Sequence, residues 1–147
     1  MLTGNKIFKQ SLNQHIGLLY SSTVAASKQK IIFVYNADSG LGNALLDFGK
    51  KYLSPDNYAC ALCKVSYGPF GMKRDWKTFV KSLTYTSQFL HKDEFREAYP
   101  DIKTTLPAMI MLSGSKHEVL LNARDFEHIH SLEDLKTAVR GVLAKHV

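Results

Sequence analysis

Residues 31–35, IIFVY, form an unbroken hydrophobic run that is β-branched and aromatic. Without polar alternation, such a run reads as a strand buried on both faces. It ends in Asn36, Ala37, Asp38, Ser39 and Gly40, after which Leu41, Ala44, Leu45, Phe48 and Tyr52 recur at helical spacing. That spacing predicts a helix with one apolar stripe. Asp38 or Ser39 can cap it. Ser54-Pro55-Asp56-Asn57 stops it, because proline rejects the helical continuation and Asp and Asn favour turns.

Residues 58–65 are a second apolar run and read as a second strand. A helix between two strands in sequence predicts a parallel βαβ unit. The stretch 66–76, SYGPFGMKRDW, is rich in Gly, Pro and aromatics and reads as a loop. Asp75 can cap a helix on which Trp76, Phe79, Val80 and Leu83 share a face. A less regular stretch follows, then a short helix over 92–99. Residues 108–112 and 118–121 are short apolar runs separated by Ser113-Gly114-Ser115-Lys116-His117, which predicts a β-hairpin with a longer loop. Ser131-Leu132-Glu133-Asp134 resembles a capping box with Asp in place of Glu. It opens a helix with a stripe of Leu132, Leu135, Val139, Val142 and Leu143. The expected order is β-α-β-α-β-β-α, an α/β fold with a four-stranded mixed sheet over residues 30–147. Residues 1–29 show mixed periodicity and read as an N-terminal extension.

The chain has 147 residues, 45% hydrophobic and 22% charged, which suits one globular domain. No stretch approaches the roughly 20 apolar residues of a spanning helix, so no membrane partner is expected. The net charge is +6, but the positives are scattered. The densest group is Lys73-Arg74 with Lys77 and Lys81, which disfavours nucleic acid as a partner. The first 37 residues carry Lys6, Lys9, Lys28 and Lys30 and no acid. The apolar stretch IGLLY is too short for a secretory segment. Two cysteines are too few for a secreted disulfide scaffold, so a cytoplasmic, reducing location is expected.

The element order, together with TTLPAMIML and its Pro107 just before the third strand, resembles the thioredoxin fold across most of residues 30–145. In that superfamily a cis proline at this point faces a redox turn between the first strand and first helix. The stretch NADSGLGNALLDF is similar to the DCC family of thiol-disulfide oxidoreductases, whose motif after the first strand is D-x-x-C-x-x-C. The matching positions hold Asn36, Ser39 and Gly42, so all three defining residues are replaced. The resemblance implies a fold and not the activity. Dithiol exchange needs a thiolate and a resolving thiol, and a serine hydroxyl and a glycine supply neither.

Cys60-Ala61-Leu62-Cys63 has redox spacing away from that turn. On a regular strand its Cα atoms would stand about 10 Å apart, at ~3.3 Å per residue, with side chains on opposite faces. A disulfide needs them within roughly 7 Å, so bridging requires the strand to break. Two small buried hydrophobes are one reading. A catalytic dithiol is another, with Cys63 the better nucleophile because it is nearer the strand's end and beside Lys64. Zinc is a third, with His128 and His130 as the remaining candidates.

Parallel first and second strands would bring 36–42 and 66–76 together at one sheet edge, near Pro107, where open α/β sheets bind ligands. Asp38, Ser39, Gly40, Tyr67, Phe70, Lys73 and Pro107 are therefore candidate ligand-binding residues for a peptide, protein or small ligand. Each has a packing role as its alternative: Phe70 and Trp76 as core, Asp38 as a cap competing with any anion at the turn. Phosphate-loop, nucleophile-elbow and zinc-helix motifs are absent, and no cofactor is expected. Asp93-Glu94 and Glu133-Asp134 look like helix caps. The expected function is a binding module with a degenerate redox turn, using the turn after the first strand and the 66–76 loop; the alternative is a thiol-disulfide oxidoreductase acting through Cys60 and Cys63.

Overall fold

The computed structural model describes residues 29–41 and 60–146. The N-terminal extension, Gly42 and the helix expected after Leu41 lie outside the described residues.

Strand β1, Lys30–Val34, is the spine. It is buried on both faces, as an unbroken apolar run requires. A 3-10 turn, Ser39–Leu41, follows it. Helix α1 spans Ala61–Ser66. A small antiparallel hairpin joins β2, Tyr67–Gly68, to β3, Gly71–Met72, and Gly71 adopts φ 100° at its turn. Helix α2 is Arg74–Ser82. Then come β4, Thr86–Leu90, and α3, Lys92–Ala98. The β5–β6 hairpin, Ala108–Ser113 and Lys116–Leu121, precedes α4, Ala123–Phe126, and α5, Leu132–Leu143.

The main sheet is four-stranded and mixed, in the order β4-β1-β5-β6. β1 runs parallel to β4 and antiparallel to β5, and β5 is antiparallel to β6. The chain is thus α/β, but the parallel partner of β1 is not the stretch 58–65. Of that stretch the described part, from Cys60, caps and enters α1. A short apolar run does not distinguish a strand from a buried helical turn by periodicity. Here Leu62 and Val65, three residues apart, point into the core together, which helical spacing allows and a strand does not. The true partner, β4, carries Thr86, Ser87 and Gln88. It lies at the sheet edge, where a polar strand costs nothing and blunts further pairing.

Alternation along β1 and β5 builds two cores. Ile31, Phe33, Tyr35, Met109 and Met111 face α1, α2 and α5, with Leu62, Trp76, Leu135 and Val139 packed against them. Ile32, Val34, Ala108 and Ile110 face the other way, toward Phe95 of α3 and Ile102. At roughly 1.5–3 kcal/mol for each large apolar side chain buried, these two layers supply most of the stabilisation.

The β5–β6 loop is tighter than the expected five residues. Ser113 pairs with Lys116, leaving Gly114 and Ser115 as the loop, and Gly114 takes the positive φ of 62° that short hairpin loops demand. Asp75 lies inside the first turn of α2, while Lys73 occupies the cap position. The capping box of α5 is present as read, with Ser131 Oγ accepting from the Asp134 amide and the Asp134 carboxylate accepting from the Ser131 amide. Among the described residues, no helix is long and apolar enough to cross a membrane.

Candidate functional site

Cys60 and Cys63 form a disulfide, with Cα atoms 5.2 Å apart. The helical turn brings them together. Cys60 is the N-cap of α1, outside helical geometry at φ −103° and ψ 88°, and Cys63 is one turn further on. The Cys60 Sγ accepts a hydrogen bond from the Cys63 amide at 3.2 Å. Cys60 is only 7% exposed and belongs to the core, whereas Cys63 is half-buried and presents the more accessible sulfur. The cysteines are therefore not two free buried hydrophobes. Nor are they a thiolate pair for zinc, and among the described residues no group of three or more His, Cys, Asp or Glu side chains could hold a metal.

The β2–β3 hairpin follows α1 directly and carries three of the expected site residues. Tyr67 is half-buried, with its ring edge-on to Tyr35 at 5.5 Å between centroids. Phe70, expected to fill core, is fully exposed at the hairpin tip. Trp76 does fill core. Lys73, itself exposed, donates from its Nζ to the Val65 carbonyl at 3.0 Å, tying the residue after the hairpin back to α1.

The turn after β1 is engaged by α3. Lys92 N–H donates to the Ala37 carbonyl at 2.9 Å, and Lys92 Nζ pairs with Asp38 Oδ2 at 3.0 Å. Ser39 donates its amide to Asp93 Oδ1 at 2.9 Å and its hydroxyl to Asp93 Oδ2. These bonds hold the Asp93 carboxyl down at about 2. The Ser39 donors imagined for an anion are thus occupied by a carboxylate of this chain. Asp38 spends its charge on Lys92. Gly40 is exposed, with open space where a Cβ would stand. Asp93 and Glu94 divide their roles: Glu94 closes a capping box with His91, and Asp93 reaches the turn.

Pro107 is buried and follows a cis peptide bond from Leu106. The β1–β5 register pairs Val34 with Ala108. Pro107 thus stands immediately before the first residue of β5, beside the end of β1. Tyr35 is the residue the sequence reading missed. It is 2% exposed and directly follows β1. Its ring centroid lies 6.0 Å from His91, and its hydroxyl is directed toward Ser66, Tyr67 and Trp76. Among the described residues, neither that hydroxyl nor the Trp76 indole N–H has a partner at full hydrogen-bond geometry, although the hydroxyl is close enough to Ser66, Tyr67 and Trp76 to feel them. Burial, followed by the nearby Tyr67, pushes the Tyr35 hydroxyl well above the ordinary tyrosine range, and burial raises Tyr67 too. Its place as the last hydrophobic residue of the opening run was the available signal.

The structure thus groups Cys60, Cys63, Tyr67 and Lys73 on α1 and the segment after it, places Pro107 at the start of β5, and commits Asp38 and Ser39 to α3. No family model, curated protein or solved structure matches the chain.

Proposed function

We propose that residues 30–147 form a thioredoxin-like domain that acts as a thiol-disulfide oxidoreductase through Cys60 and Cys63. The observation that carries this reading is a Cys-x-x-Cys disulfide at the start of a helix, with one sulfur accepting a backbone N–H. The sheet order β4-β1-β5-β6 and the cis bond before β5 support the scaffold, because they are what the resemblance implies for that fold. In a cytoplasmic setting a disulfide is more often catalytic than structural, which agrees with this role.

The chemistry follows from access and leaving-group stability. A substrate thiolate attacks the sulfur of Cys63, the less buried of the two cysteines, forming a mixed disulfide and breaking the Cys60–Cys63 bond. Cys60 departs as a thiolate that the Cys63 amide is placed to receive. A second substrate thiol, deprotonated, attacks the substrate sulfur of the mixed disulfide and releases Cys63. Substrate leaves oxidised, and the protein gains two electrons and, on reprotonation, two protons. The reverse sequence reduces a substrate disulfide, with Cys63 as nucleophile and Cys60 resolving.

The second reading, a binding module without dithiol chemistry, has one observation of its own: Phe70 offers a fully exposed ring at the tip of the hairpin that follows α1. Alkylation after equilibration in dithiothreitol buffers separates the two. An oxidoreductase interconverts reversibly between disulfide and dithiol, and its Cys60→Ser variant traps disulfide substrates, the Cys63 thiolate forming a mixed disulfide and releasing the substrate's other thiolate, which no Cys60 thiol then resolves. A disulfide that resists reduction in the folded protein, or a Cys60→Ser variant that forms no mixed disulfide, supports the binding module instead.

A further inference from the structure

On the sheet face opposite the disulfide, a cleft of about 580 Å3 opens between α3 and the segment leading to β5. Its apolar wall is Phe95, Tyr99, Ile102 and Leu106, and its polar groups are Asn36, Arg96, Lys103, Thr104 and Thr105. The volume falls within the range of small-molecule sites, about 300–1,000 Å3, and the lining divides evenly between apolar and polar residues. Its position matches too. Asn36 follows the carboxyl end of β1, and α3 begins just past the carboxyl end of β4, its parallel neighbour. Ligands of open α/β sheets bind outside the carboxyl ends of such strands.

The charge of the lining selects the ligand. Arg96 and Lys103 bring two positive groups, and no Asp or Glu lines the cleft among the described residues. Among the described residues Arg96 makes no ion pair or hydrogen bond, and Lys103 Nζ donates to the Pro100 carbonyl and pairs with no carboxylate. The acids at the start of α3 are committed elsewhere, Asp93 to Ser39 and Glu94 to His91. Asn36, where the family resemblance would place an aspartate, contributes an amide and no charge. A planar guanidinium recognises a carboxylate by paired hydrogen bonds, and the aromatic wall takes an apolar body.

From this geometry we infer that the cleft lined by Asn36, Phe95, Arg96, Tyr99 and Lys103 binds a small organic anion, a carboxylate carried on an aromatic-sized apolar body. The site is independent of the thiol chemistry. It shares no side chain with the Cys60–Cys63 disulfide and lies on the other face of the sheet.

Amide NMR spectra of the full chain, titrated with 3-phenylpropionate and separately with the neutral 3-phenylpropionamide, test it. The carboxylate shifts the amides of Asn36 and of residues 95–106 in a saturable way. The neutral amide binds about tenfold more weakly. Arg96→Ala, an exposed substitution that leaves the rest of the spectrum in place, weakens the carboxylate about tenfold as well. Its dithiol exchange rate stays at the wild-type value, so loss of ligand binding and failure of the redox proposal read out separately. Equal binding of acid and amide, shifts scattered away from the cleft, no saturation, or an Arg96→Ala variant with unchanged affinity would each overturn the assignment.

Discussion

Asp93 accepts both the amide and the hydroxyl proton of Ser39, a residue 54 positions earlier in the chain. One carboxylate thereby ties the turn after β1 to the first turn of α3. Because those bonds favour its ionised form, the folded pKa falls from an ordinary 3.8 to about 2. A depressed carboxylate contributes stability that is present above its unfolded pKa and lost as pH falls through the folded one. The loss therefore runs from near pH 4 down to about 2. Asp93→Asn flattens that acid limb in denaturation experiments repeated across the window. An unchanged limb would mean that the pair is not formed in solution.

Trp76 is the single tryptophan and is completely buried. It meets Phe33 edge-on at 5.2 Å and stacks with Phe79 at 5.6 Å, joining the spine strand to α2. Trp76→Ala is expected to cost about 3–5 kcal/mol, a large share of a typical domain's stability. Circular dichroism in urea measures this, since the substitution removes the fluorophore. A cost under about 1 kcal/mol would contradict the packing.

Phe70 allows fold and function to be separated. A fully exposed ring makes little contribution to folding, so Phe70→Ser changes stability by no more than about 0.5 kcal/mol. If the ring meets substrates of the disulfide, the same variant slows exchange with a peptide thiol while leaving exchange with dithiothreitol unaltered. Parallel stopped-flow measurements with the two thiols give the ratio. Equal slowing of both would assign Phe70 to the disulfide's own environment rather than to substrate contact.

The parts legible in the sequence are those where burial forces composition. The run at 31–35 has to be apolar because both faces of β1 are covered, and the stripe of α5 has to repeat because one side meets the sheet. The Ser131 and Asp134 pair was readable for a local reason, since a capping box needs only its own residues. What escaped was set by partners distant in sequence. Thr86–Leu90 is a strand because β1 lies beside it, and as an edge it need not look hydrophobic. Cys60 and Cys63 reach bonding distance because 61–66 turns as a helix, which a short apolar segment does not announce. Ser39 and Asp93 were each noticed as caps, but their union depends on the parallel pairing that aligns the end of β1 with the start of α3.

Tyr35 sits where the disulfide face, the hairpin and α3 converge. Its buried hydroxyl, like the Trp76 indole, has no partner at full hydrogen-bond geometry among the described residues. Leaving a buried polar group unpaired costs about 1–3 kcal/mol, so deleting it costs no bond and relieves that penalty. Tyr35→Phe is expected to be as stable as the parent or more so, by up to about 2 kcal/mol. The alkaline side supplies an independent check. Burial raises the folded pKa above 10.0, so the native state keeps a proton that the unfolded chain gives up. Its stabilising effect is complete below about pH 10 and declines as pH rises toward the folded value. The Phe variant therefore loses less stability than the parent above pH 10, and a paired set of denaturation curves at pH 8 and 11 reads the difference. Should Tyr35→Phe be destabilised by about 1 kcal/mol or more at pH 8, the hydroxyl has a partner in solution, and a bound water shared with Trp76 and Ser66 becomes the first group to seek.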